Sequence, residues 1–124
     1  MYARVSSADQ KGDLERQLAR LIEFATKNGH LVTKTAKEIG SGLNGHRPKL
    51  IGLLRDPQIQ IVIVEHRDRL ARFGSEYIEA AFAASGRRLV VVDQSEMKDD
   101  LVKDMIDVMT SFCARLYGRR SAKN

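Results

Sequence analysis

The chain has 124 residues, 43% hydrophobic and 30% charged, with nine Gly and two Pro, which is enough for one domain with an ordinary core and too short for two; it is not a collagen-like, low-complexity or disordered composition. Lys and Arg number 21 against 16 Asp and Glu, a net charge of +5, and Arg outnumbers Lys; Arg is the better bidentate partner for phosphate, although charge alone fixes no partner. No apolar run approaches the roughly 20 residues of a membrane span, no basic-then-apolar leader opens the chain, and the single Cys113 supports neither a disulfide nor a zinc pattern, so the expectation is no membrane and a reducing, cytoplasmic compartment.

Residues 2–5 are β-prone and bounded by Ser6-Ser7, and are expected to form a first strand. From Asp13, apolar side chains recur at Leu14, Leu18, Leu21, Ile22 and Ala25, one face of a helix that ends at Asn28-Gly29. Residues 30–39 read as a second strand, with apolar or β-branched Leu31, Val32, Thr33 and Thr35. The glycines at 40, 42 and 45 require a loop. Pro48 suits the first turn of a short helix through Leu54, closed by Asp56-Pro57. Residues 59–64 are almost continuously apolar, as in a central strand covered on both faces. A helix over 75–84 stopped by Gly86, an apolar strand over 89–92 and a long helix over 98–117 complete the chain. This alternation predicts an α/β domain, a three-layer sandwich with a mainly parallel sheet.

In such sheets the working residues lie at the carboxyl ends of strands. The first strand runs into Arg4-Val5-Ser6-Ser7, and the strand over 59–64 runs into Glu65-His66-Arg67-Asp68-Arg69-Leu70-Ala71-Arg72. Clustered arginines facing a hydroxyl make a phosphate site with a possible nucleophile, since serine attack on phosphorus needs chiefly positioning and compensation of oxygen charge. If three guanidinium groups each matched one oxyanion-hole donor, they would supply about 8 to 12 kcal/mol, with no allowance for non-additivity.

Four sets of residues carry a resemblance: Tyr2-Ala3-Arg4-Val5-Ser6-Ser7-Ala8-Asp9-Gln10; Asp13-Leu14-Glu15-Arg16-Gln17; Gly40-Ser41-Gly42 with Arg47; and Asp68-Arg69-Leu70-Ala71-Arg72. In this order and spacing the chain resembles the serine recombinase (resolvase/invertase) catalytic domain over essentially its whole length. Details such as Gly42-Leu43-Asn44, Glu65-His66-Arg67 and Ala114-Arg115-Leu116-Tyr117-Gly118 are most similar to serine transposases of small insertion sequences. The resemblance implies that Ser6 is the nucleophile, that Arg4, Arg69 and Arg72 contact the scissile phosphate, and that Arg47 adds a further cation. It further implies that Asp68 orients an arginine and that Gln10 and Gln17 are polar active-site residues. It implies cleavage of DNA through a 5′-phosphoserine link and a free 3′ hydroxyl, followed by rejoining, with no cofactor, metal or ATP. Dimers that pair into a tetramer are implied as the cutting assembly.

Such transposases carry a helix-turn-helix domain before the catalytic domain and resolvases carry one after it, whereas this chain starts at Met1-Tyr2 directly on the first strand. The separate DNA-binding domain is therefore expected to be absent from this chain. The same residues admit other readings. Ser6 could be a helix cap, and Arg69 and Arg72 could be surface ion-pair partners of Asp68 and Glu65. The glycine loop lacks the ending of a P-loop. A lone His66 at a strand end is more often structural than a general base. No carboxylates pair at a strand end as a two-metal nuclease requires. The alternatives retained are a resolvase or invertase core and a non-enzymatic nucleic-acid-binding α/β module. Two adjoining apolar rows on the last helix, including Met105, Met109, Phe112 and Leu116, are wider than docking on one sheet needs and predict oligomerisation through that helix.

Overall fold

The computed structural model describes residues 1–40, 47–71, 74–95, 102, 105–106, 109–110 and 112–116. Strand β1 (Tyr2–Val5) leads through a single 3-10 turn at Ala8–Gln10 into helix α1 (Lys11–Lys27) and strand β2 (Ala36–Ile39). Helix α2 (Pro48–Arg55), strand β3 (Ile61–Val64), the one-turn helix α3 (Arg67–Leu70), helix α4 (Ser75–Ala84) and strand β4 (Arg88–Val91) follow. The pairings are parallel: β1 with β2, Tyr2 opposite Ala36, and β3 with β4, Ile61 opposite Arg88. The two ladders lie side by side where β1 neighbours β3.

The period-2 alternation of the strands sorts side chains into two cores. Tyr2, Val62, Val64 and Leu89 pack on one face with Leu50 and Leu53 of α2 and Phe82 of α4. Ala3, Val5 and Ile63 pack on the other with Leu14, Leu18, Leu21 and Ala25 of α1. A helix layer, a parallel strand layer and a second helix layer result, as expected. The apolar stripe of α1 is the predicted one except at Ile22, which is exposed. The helix ends where Gly29 takes φ +69 and the His30 N–H reaches back to the Ala25 carbonyl at 2.9 Å, the left-handed closure that glycine permits at least cost.

The second strand is shorter than expected. Residues 30–35 are not in a strand; the ladder begins where the Met1 carbonyl accepts the Ala36 N–H at 3.0 Å, beside the Met1 amino group on the Lys34 carbonyl at 2.9 Å. Strand-prone side chains give a strand only where they pair and pack, and here Leu31 is 89% and Val32 39% exposed. Ile59 likewise belongs to a turn, its N–H bonded to the Asp56 carbonyl at 3.2 Å. Arg87 staples this region: its guanidinium donates to the carbonyls of Leu53, Leu54, Asp56 and Ile59 at 2.7 to 3.2 Å, with its carbon 4.1 Å from the Phe82 ring centroid. It satisfies the carbonyls that the end of α2 leaves open.

Much of the long helix expected over 98–117 lies outside the described residues, as do Leu101, Val108 and Tyr117. Its described positions are helical, and Val102, Met105, Ile106, Met109, Phe112 and Leu116 are all exposed. Cys113 is also exposed. Among the described residues no helix is long and apolar enough to cross a membrane.

Candidate active site

The carboxyl ends of β1 and β3 meet as the α/β rule requires. In β1 the carbonyls of Met1 and Val5 accept hydrogen bonds from Ala36 and Gly40 on the β2 side, so the backbone of Arg4 faces the other way, toward β3. Gln17, buried on α1, satisfies it there: the Arg4 N–H donates to Gln17 Oε1 at 3.3 Å and Gln17 Nε2 donates to the Arg4 carbonyl at 2.9 Å. Gln17 thus acts like a neighbouring strand at this position and fixes Arg4 from below.

The Arg4 side chain is fully buried. Its Nε donates to the Arg69 carbonyl at 3.0 Å, Nη2 to the Asp68 carbonyl at 2.5 Å, and Nη1 to the Gly40 carbonyl at 2.8 Å and to Ser6 Oγ at 3.3 Å. The Asp68 and Arg69 carbonyls point at it because the Arg-rich run after β3 is a helical turn, α3, closed by the Arg69 N–H on the His66 carbonyl and the Ala71 N–H on the Arg67 carbonyl. Asp68 and Arg69 are both buried within it. Arg72 lies outside the described residues, as do residues 41–46 of the glycine loop.

Arg47 approaches from the far side of that loop as the residue preceding α2. It is buried, donates through Nη1 to the Arg69 carbonyl at 3.3 Å, and runs its stem past Gly40, where an added Cβ would sit 3.5 Å from its Cγ. Its Nε is buried with no hydrogen-bond partner among the described residues. Such a donor costs free energy unless something accepts from it.

Glu38 and Tyr2, neither expected at the site, brace the start of α2, which Arg47 precedes. Glu38, inward-facing and buried on β2, accepts the Lys49 and Leu50 N–H groups at 2.8 and 3.3 Å and the Tyr2 hydroxyl at 2.8 Å. A carboxylate on the first turn of α2 satisfies its open donors and suits its dipole. Burial pushes the Tyr2 phenol well above its usual range; the Arg47 charge opposes this and the Glu38 hydrogen bond reinforces it. The available signal was Glu38 itself, a charged residue at an inward position of a strand.

Ser6 is buried, with Arg4 on its hydroxyl. Ser7 and Gln10 form a reciprocal cap of the 3-10 turn: the Ser7 N–H donates to Gln10 Oε1 at 3.0 Å, and the Ser7 hydroxyl also meets Asp9. The structure therefore brings Ser6, Arg4, Arg47, Asp68, Arg69 and Gln17 to one place and gives Gln10 a bracing contact with Ser7. Both ring nitrogens of His66 are engaged, by Ser95 and Glu65.

A family model described as the resolvase N-terminal domain matches residues 1–124. The chain belongs to that family. This resolvase-family domain is 58% identical in sequence to the C-terminal catalytic domain of IS1535 TnpA, an IS607-like serine recombinase, with a TM-score of 0.83 over 96% of this chain and 86% of that one. The corresponding domain of ISC1926 TnpA, also IS607-like, is 45% identical with a TM-score of 0.81, covering 96% and 85% of the two chains. An uncharacterized protein of Mycobacterium tuberculosis strain H37Rv is 48% identical over 122 residues, 98% of this chain. The chain spans only 41% of that relative's length.

Proposed function

We propose that this domain is the catalytic core of a serine DNA recombinase of the insertion-sequence transposase kind, and that Ser6 is its nucleophile. The observation that carries the reading is the Ser6 hydroxyl held by a fully buried Arg4 inside a cluster of buried arginines, with the Arg47 Nε left to seek an acceptor. A tetrahedral phosphate offers acceptor oxygens of the right charge for such a cluster.

In the proposed step a bond forms from Ser6 Oγ to phosphorus as the bond from phosphorus to the 3′ oxygen breaks. The serine gives up its proton and the departing 3′ oxygen takes one up. The phosphodiester bond energy stays in the phosphoserine link, so attack by a 3′ hydroxyl of another strand rejoins DNA with no energy source. Arg47, Arg69 and Arg72 balance charge on the non-bridging oxygens and Asp68 orients an arginine, while Gln17 supports Arg4. DNA is the partner, held chiefly through phosphate charge, so affinity for this domain falls steeply as salt rises. The exposed apolar positions from Val102 to Leu116 suit pairing with a second copy.

The test uses the full-length protein and a cleavable DNA site. Wild type forms a covalent protein–DNA adduct that survives excess chelator, and Ser6→Ala forms none. An adduct at wild-type level from Ser6→Ala removes Ser6 from the chemistry, and a strict Mg²⁺ requirement returns the two-metal alternative.

A further inference from the structure

We infer that His66 is a positioning residue for strand cleavage, holding the α3 turn, and so the carbonyls on which Arg4 and Arg47 converge, against the exit of β4. The inference rests on the recombinase reading and adds a residue to its site. His66 is 3% exposed and directly precedes α3, and its own carbonyl accepts the Arg69 N–H at 3.0 Å. Its ring faces away from that bond toward two other partners. Nδ1 lies 3.0 Å from the Ser95 carbonyl oxygen and Nε2 lies 3.1 Å from Glu65 Oε1.

A carbonyl can only accept, so Nδ1 is the donor in the Ser95 contact, and an apolar ring of the same size could not make it. Both ends of the bracket are themselves anchored. Glu65 Oε2 meets Arg20 Nη1 of α1 at 3.3 Å, and the Glu65 carbonyl accepts the Asp93 N–H at 2.8 Å. The Ser95 N–H donates to Asp93 Oδ1 at 2.9 Å, which holds that carboxyl below its usual range and fixes the carbonyl that His66 reads. The ring therefore ties α1 and the segment after β4 to the first residue of the site turn. Displacement of His66 passes through its carbonyl to Arg69, and from the Arg69 carbonyl to Arg4 and Ser6.

Two variants separate the donor from the ring. His66→Phe keeps a planar ring and donates nothing; His66→Asn places an amide N–H close to where Nδ1 stood. In the full-length protein, with wild type and Ser6→Ala as references, the single-turnover rate of adduct formation should fall about 10- to 100-fold in His66→Phe, the cost of roughly an ångström of misplacement. DNA affinity should stay within about twofold, because the residues that meet phosphate remain. His66→Asn should recover the rate to within a few-fold of wild type. Amide exchange at Arg69 and Ala71, whose N–H groups close the turn, should quicken in His66→Phe and recover in His66→Asn. A wild-type rate and wild-type exchange in His66→Phe overturn the inference, and so does equal loss in both variants, which would make the ring's packing the requirement. If His66→Phe does not fold, His66→Asn decides alone, since a donor at Nδ1 must then suffice. If wild type itself forms no adduct, the recombinase reading fails separately, and amide exchange still decides whether His66 holds the turn.

Discussion

Arg4→Lys isolates what a fork of donors does that a point charge cannot. Arg4 donates to three carbonyls and to Ser6 Oγ from three nitrogens spread across its guanidinium plane. A lysine ammonium has three donors at one point, and cannot reach acceptors that lie on different sides of that plane, so at least two of these bonds are lost. Charge-assisted bonds contribute about 1.5 to 3 kcal/mol each, which puts the cost near 3 to 6 kcal/mol. Against a total stability of about 5 to 15 kcal/mol the domain remains folded in most of that range. At about 4 °C per kcal/mol for a chain of this size, Tm should fall by roughly 12 to 24 °C. Adduct formation should disappear together with it. Ser6→Ala, which leaves the three carbonyl bonds of Arg4 in place, should change Tm by a few degrees at most while abolishing the same adduct. Thermal and urea unfolding of both variants measure this. A Tm for Arg4→Lys within about 3 °C of wild type would refute the view that Arg4 knits β1 to the α3 turn.

Stability should decline as pH rises beyond the ordinary tyrosine value of 10.0, because the unfolded chain releases the Tyr2 proton that the folded chain retains; Tyr2→Phe should flatten that alkaline limb, and an unchanged slope in urea titrations would reject it. Arg87→Met should cost about 2 to 4 kcal/mol by uncapping four carbonyls between Leu53 and Ile59, a loss that leaves the distant Ser6 site assembled once the variant is folded. Met105→Lys or Met109→Lys should weaken self-association in sedimentation at micromolar concentration without lowering Tm, since both side chains are exposed on the described domain; a strictly monomeric wild type would count against assembly through this face.

What could be read from the chain follows from how local the determinants are. The stripe of α1, Pro48 at the start of α2 and the apolar run of β3 are properties of short windows, and each located its element within a few residues. The reach of β2 was not local: residues 30–35 have strand-forming side chains, but a strand needs a partner, and the ladder starts only at Ala36. The turn α3 escaped notice for a related reason. Nothing in Arg67-Asp68-Arg69-Leu70 announces a helix; the turn is held by bonds that Arg4 brings from elsewhere in the chain. Glu38 was missed because its partners, Tyr2 and the amides of Lys49 and Leu50, converge only in three dimensions. The family resemblance named Ser6, Arg4, Arg47, Arg69 and Gln17, but not Glu38 or the turn beneath them.

That scaffold suggests a division of labour among the arginines. Arg4 has committed Nε and Nη2 to the α3 carbonyls, and its remaining nitrogen is shared between Gly40 and Ser6. Under the recombinase reading, a cation that donates to a hydroxyl oxygen favours that oxygen's deprotonated form, which would let Arg4 ready Ser6 for attack. Contact with the phosphate would require it to exchange bonds it already makes. Arg47 is placed differently: its Nη1 reaches the Arg69 carbonyl, while its Nε has no acceptor among the described residues and, under the recombinase reading, would gain one from a phosphate. Substrate binding would therefore relieve a cost that folding leaves at Arg47 and add little at Arg4. Under the recombinase reading, replacing Arg47 by Lys should weaken the transition state more than it weakens the fold, whereas replacing Arg4 weakens both.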